Sequence, residues 1–227
     1  MDQALSETLA QRGWRADELL KDDAVSCVWK LESPEGALLL KRSRMFGVLF
    51  GIIPAWLTAR EVRILRALEG VDGIPRVYER LDRSTFVREF VEAQPLDRCE
   101  ELPEPFFPLL VGQLRAIHAR GVACVDLSKR ENILVSDAGT PVLMDFQAGL
   151  ALRPGRWTAR VFGPLLRALQ RGDLHHVYKH HRRRFSSLPI PPTPPELAQE
   201  PLGIRLHRVL LRRPYLWVKR SLSRRSG

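Results

Sequence analysis

The stretch from Val125 to Gln147 restricts the fold more than any other part of the sequence. Ile133-Leu134-Val135 and Pro141 to Met144 are short apolar runs separated by Ser136-Asp137-Ala138-Gly139-Thr140. Asp and Gly at the centre of such a spacer favour a tight turn, so the pattern predicts a β-hairpin. Asp126 and Asn132 bracket the irregular loop that enters the first strand, and Asp145 ends the second. Antiparallel pairing brings a hairpin's entry and exit together, so the three oxygen-bearing side chains are expected to converge. That set suits phosphoryl transfer: magnesium takes oxygen ligands and bridges nucleotide phosphates, while a separate carboxylate accepts the proton of the attacking hydroxyl.

Upstream, Val25 to Leu31 and Ala37 to Lys41 alternate as strands around Ser33-Pro34-Glu35-Gly36. Ala55 to Glu69 has the period of an amphipathic helix, with Leu57, Ile64, Leu65 and Leu68 on its inner face. Glu61 falls on that same stripe, where a carboxylate is costly unless a cation meets it. Arg76 to Val91 reads as two more strands with a turn near Asp82-Arg83-Ser84. Pro103 to Arg120 reads as a second helix with Phe106, Phe107, Leu110, Leu114 and Ile117 inward. Residues 157–184 look helical and basic, 188–195 form a proline-rich connector, and 196–223 form a last basic amphipathic segment. The longest apolar run, Met45 to Leu57, contains two glycines and a proline and falls short of the roughly 20 residues that a membrane span requires.

Charge is unevenly spread. From residue 151 onward there are 17 Lys and Arg against 3 acids, a surplus of 14, which against the chain total of +10 leaves −4 for the first 150 residues. A block this basic points to an anionic partner; its sign does not separate lipid headgroups, a phosphorylated glycan and nucleic acid. The three cysteines, Cys27, Cys99 and Cys124, form neither a disulfide framework nor a zinc pattern. With early acids at Asp2 and Glu7 and no signal-peptide pattern, a cytoplasmic setting is expected, the basic tail either making peripheral contact at the cytoplasmic face of the inner membrane or packing on the C-terminal lobe.

Asp126, Asn132 and Asp145-Phe146-Gln147, with Lys41 and Glu61 upstream, resemble the catalytic elements of the protein-kinase-like superfamily. Within it, the sequence is most similar to small bacterial members related to RIO kinases and to lipopolysaccharide core (heptose) kinases. The resemblance implies an α+β, two-lobed fold with a small β-rich N-lobe over residues 1–92 and a shortened, mainly helical C-lobe over 93–187. Residues 188–227 would be an appended connector and basic segment. It implies ATP and Mg2+ as cofactors, Asp126 as base, and Asn132 and Asp145 as magnesium ligands. Lys41 and Glu61 would be the ion pair that positions the phosphates, and Glu89 to Val91 the segment that holds adenine through its backbone.

The departures from the family pattern also bear on function. No glycine-rich loop precedes Lys41, so Asp23-Ala24-Val25-Ser26-Cys27 would have to cover the phosphates. Cys124 stands where the family has His, Val125 where regulated kinases have Arg, and Asn132 lies six residues after Asp126 rather than five. Gln147 replaces Gly and no Ala-Pro-Glu element follows, which points away from a peptide-docking lobe. The expected acceptor is therefore a hydroxyl on an anionic, membrane-associated glycan or lipid-linked sugar. A RIO-like protein acceptor, or a pseudokinase serving as a binding module, are the competing readings. Lys129 is a candidate contact for the transferred phosphate. His175, His176, His180 and His181, followed by Arg182-Arg183-Arg184, read as a polar basic helix face, and Cys124 as a small core residue.

Overall fold

A computed structural model describes residues 2–23, 26–44, 52–152, 155, 157–194 and 197, with the side chains of 52 and 53 left aside. The expected Ala24-Val25 part of the phosphate-covering stretch, the start of the apolar run at Met45 and nearly all of the basic segment 196–223 lie outside the described residues. The chain divides into two compact units. The first comprises Met1–Leu102 and Arg130–Gly149, the second Pro103–Lys129 and Leu150–Gly227.

In the first unit, helix α1 (Gln3–Ala10) is capped by Asp2, whose carboxylate accepts the Leu5 N–H at 2.9 Å. Strands β1 (Arg15–Asp22), β2 (Ser26–Ser33), β3 (Gly36–Ser43), β4 (Val77–Arg80) and β5 (Thr85–Glu89) form one antiparallel sheet in the order β1-β2-β3-β5-β4. Side chains alternate across a sheet, so Leu31, Leu38, Leu40 and Val87 share one face, where Leu5 and Leu9 of α1 cover them. On the opposite face of the paired β3 and β5 lie Leu39, Lys41, Phe86 and Arg88, next to helix α2 (Ile52–Ala67). The buried stripe of α2 is Thr58, Glu61, Val62, Ile64 and Leu65, continued by Leu68 just past its end. Leu57, expected inward, is only half-buried, and Thr58 takes its place, its hydroxyl 2.9 Å from that of Ser43 on β3.

The predicted hairpin forms from β8 (Ile133–Ser136) and β9 (Pro141–Leu143), and β6 (Ala93–Pro95) joins as a third strand in the order β6-β8-β9. Its turn closes through Gly139 N–H to Ser136 O at 2.8 Å and a Ser136–Thr140 hydroxyl pair at 2.8 Å. Gly139 adopts φ +74°, a left-handed conformation that only glycine enters cheaply. The hairpin is tied to the loop that follows α2 by Leu143 N–H to Gly73 O at 3.0 Å.

In the second unit, α3 (Phe106–Ala119) buries Phe106, Phe107, Leu110, Leu114 and Ile117 completely, as its periodicity predicts. It packs against α4 (Trp157–Arg184), which runs the whole length expected although Pro164 removes one backbone donor from its interior. A two-residue ladder pairs β7 (Val122–Ala123) with β10 (Leu150–Ala151). Among the described residues, no helix is long and apolar enough to cross a membrane.

Candidate phosphotransfer site

In the first unit the stripe carboxylate of α2 meets its cation. Lys41 Nζ lies 2.9 Å from both carboxylate oxygens of Glu61 and 3.2 Å from Asp145 Oδ1. The Glu61 side chain is 3 % exposed and that of Lys41 11 %, so water screens the pair weakly. Burial opposes the lysine's charge, but Glu61 and Asp145 outweigh it and hold the amine above its ordinary range. Arg88, buried on the same face as Lys41, carries a second positive charge toward Glu61 and Asp145, and its Nη1 donates to Glu89 O at 3.2 Å. Sequence reasoning missed Arg88, because an arginine in a strand with turn-flanked ends looks like a solvent-facing residue.

The hairpin register fixes the two oxygen donors. Asn132, buried, ends a short 3-10 turn (Arg130–Asn132), and its carbonyl accepts Met144 N–H at 3.1 Å. Asn132 and Asp145 therefore sit at the open end of one hairpin. Asp145 itself is left-handed (φ 60°, ψ 66°), a conformation that Asp tolerates and that turns the chain into a second 3-10 turn, Phe146–Ala148. Arg60 of α2 anchors that turn, with Nε donating to Gly149 O at 2.6 Å and Nη2 to Ala148 O at 3.2 Å. One carboxylate and one amide oxygen match what a hard cation takes alongside nucleotide phosphates. Among the described residues, no group of three or more His, Cys, Asp or Glu is arranged to hold a metal.

Glu89 ends β5. Its N–H donates to Arg76 O at 2.8 Å, its carboxylate accepts Arg76 N–H at 3.2 Å, and Phe90 N–H reaches Ala37 O at 3.4 Å. The sheet thus fixes the start of the expected adenine-holding segment, and Val91 lies half-buried just beyond it.

In the second unit, Asp126 and Lys129 form an ion pair, with Lys129 Nζ 2.6 Å from Asp126 Oδ2. The loop that carries them is held by a residue that the sequence did not single out. Asp173 of α4 is fully buried, and its carboxylate accepts Cys124 N–H and Val125 N–H, both at 2.8 Å, and lies 3.1 Å from His118 Nε2. Val125 has φ 73°, a strained value for a β-branched residue, at a cost of about 1–3 kcal/mol. The two charge-assisted bonds to Asp173 offset that strain and fix the backbone immediately before Asp126. Burial, then the nearby Asp173 charge, pushes the Cys124 thiol well above its ordinary value, which suits an inert core residue.

The histidine cluster departs from the polar face expected of it. His175, His176, His180 and His181 are buried. His180 Nε2 lies 2.8 Å from Leu127 O, His181 Nε2 lies 2.7 Å from Leu188 O, and the His181 ring meets Phe107 edge-on at 5.0 Å. All four are thus internal, and His180 is a second brace for the Asp126 loop.

No protein-family model matches the sequence, and no curated protein matches it. Solved structures do. The Rio2 kinase from Chaetomium thermophilum aligns at a TM-score of 0.58 with 18% identity, covering 83% of this chain and 63% of that one. Its ADP/Mg2+-phosphoaspartate complex aligns at 0.58 with 19% identity, covering 84% and 62%. The fold is protein-kinase-like. The five-stranded antiparallel sheet with α2 corresponds to a kinase N-lobe, and the helical second unit to a kinase helical lobe. The chain spans somewhat less than two thirds of the Rio2 structures it resembles.

Proposed function

We propose that the protein is an ATP- and Mg2+-dependent phosphotransferase that moves the γ-phosphoryl group to a hydroxyl acceptor. The carrying observation is the Lys41–Glu61 pair extended to Asp145: a buried lysine, fixed by one carboxylate and reaching a second that ends the catalytic hairpin. In this reading Lys41 steers the nucleotide phosphates, Asn132 and Asp145 hold the magnesium, and Asp126 accepts the acceptor's proton. Glu89 to Val91 hold adenine through backbone groups. Magnesium, when bound, neutralises charge developing on the phosphoryl oxygens. Lys129, paired with Asp126, stands beside the base and is available to the incoming phosphate. Support for the nucleotide comes from the kinase-like fold, one of whose solved examples is a complex with ADP and Mg2+.

For the acceptor, the surplus of 14 positive charges after residue 150 favours an anionic molecule, and we assign a phosphorylated, membrane-associated glycan such as a lipopolysaccharide core sugar. The Rio2 likeness favours a second reading, a RIO-like serine/threonine protein kinase. Incubating the full chain with labelled ATP and Mg2+, in the presence of extracted glycolipid or of generic protein, separates the two. Labelling of the glycolipid is expected; labelling of protein alone selects the second reading. If neither is labelled and ATP with Mg2+ fails to raise the melting temperature, the protein is a pseudokinase.

A further inference from the structure

The first half of α4 presents an apolar surface that its fold leaves open. Trp157 is 71% exposed, Val161 60%, Phe162 46% and Leu165 43%. At 3.6 residues per turn these four fall in an arc of about 140°. Arg160, Arg167 and Arg171, all exposed, form a row along one flank of that arc. The buried side of the same stretch is Gly163 and Leu166, with the Arg167 guanidinium lying over Gly163. Such a patch is more than a scattering of single surface hydrophobics.

The chemistry of its surroundings selects the occupant. From Ala148 to Gly172 the sequence has five arginines and no acid, so that stretch itself carries no charge that would repel an anionic surface. A tryptophan at one end, aliphatic and aromatic groups between, and arginines along one side are what a helix lying in a lipid interface requires. A protein partner would have to match three arginines around an apolar ridge, whereas anionic headgroups above acyl chains do so generically.

We propose that this face of α4 docks on an anionic lipid surface, with Trp157, Val161, Phe162 and Leu165 entering the interface and Arg160, Arg167 and Arg171 contacting headgroup phosphates. The inference is independent of the transfer chemistry. It places a membrane contact on α4; the contact expected of the C-terminal basic segment lies outside the described residues.

The test is sedimentation of the full chain with phosphatidylcholine vesicles prepared with and without phosphatidylglycerol. Binding to the anionic vesicles, weakened by salt, is expected. Trp157→Ala with Phe162→Ala should lower it by about ten-fold or more. Arg160→Gln, Arg167→Gln and Arg171→Gln together should abolish the preference for phosphatidylglycerol. Because these side chains are exposed, the variants should melt as the parent does, and Val161→Asp provides an independent single-site check. Absence of binding, equal binding to both vesicle types, or full binding by the Trp157/Phe162 variant would overturn the proposal.

Discussion

Lys41 carries the heaviest electrostatic obligations of any residue in the first unit. Replacing it with Met takes away the cation that meets Glu61 in a buried stripe, and breaking a buried pair in this way costs about 3–5 kcal/mol. Lys41→Met should therefore lower the denaturation midpoint strongly, and Lys41→Met with Glu61→Leu should recover most of it without restoring nucleotide binding. The native lysine's affinity for its proton is raised, so its stabilisation is complete below the ordinary lysine value of roughly 10.4 and fades as pH climbs through the higher native value. Melting curves taken from neutral to strongly alkaline pH should show a loss in the parent that the double variant lacks. On the proposed roles, Asp126→Ala should reduce phosphoryl transfer by roughly 100-fold or more while leaving Mg2+-dependent nucleotide stabilisation intact, and Asp145→Ala should remove both. Transfer by Asp126→Ala at the parental rate would remove the base assignment. Glu61's need for a cation was legible in the sequence because a lone carboxylate interrupts an otherwise apolar helical period. Asp173 was not: a single acid in a basic helix has no periodic signature, and its partners lie 48 and 49 residues away along the chain.

At the scale of elements, the α4 helix braces the Asp126 loop through Asp173 and His180. Asp173→Ala strands one buried and one half-buried backbone donor and frees a strained Val125, at a cost of about 2 kcal/mol or more. It should reduce the transfer rate with little change in nucleotide stabilisation, which is measured in the first unit's residues. Val125→Gly in the Asp173→Ala background should restore part of the rate, because glycine enters the left-handed conformation without assistance; a merely structural loss would not respond. The hairpins at 26–43 and 133–143 and the helices at 52–67, 106–119 and 157–184 were legible from alternation, period and turn residues. Strand β1 was not, since its side chains are nearly all exposed and offer no alternation. The histidines of α4 misled because charge-capable rings look solvated in a sequence, whereas all four are buried and backbone carbonyls at Leu127 and Leu188 meet His180 and His181 inside.

For the whole molecule, the kinase-like architecture was legible because four separated motifs occur in order, while the acceptor was not, because the hydroxyl's identity leaves no mark in the residues that handle phosphate. The charge division is a property of the complete chain, and its expected signature is that raising ionic strength weakens capture of an anionic acceptor far more than it weakens Mg2+-dependent nucleotide binding. Kinetics of labelled transfer across a salt series, read as separate effects on acceptor and nucleotide, check this. The discontinuity of the first unit also matters while the protein is being made. Glu61 leaves the ribosome 84 residues ahead of Asp145, an interval of roughly 4–17 s at bacterial and eukaryotic elongation speeds of about 5–20 residues per second. Within that interval β6 is made 38 residues before β8 begins, and throughout it Lys41 has only one of its two carboxylates. A nascent chain stalled between those points would display an unfinished sheet edge to its neighbours, so translation pauses before residue 145 should be the moments at which this protein most needs a chaperone.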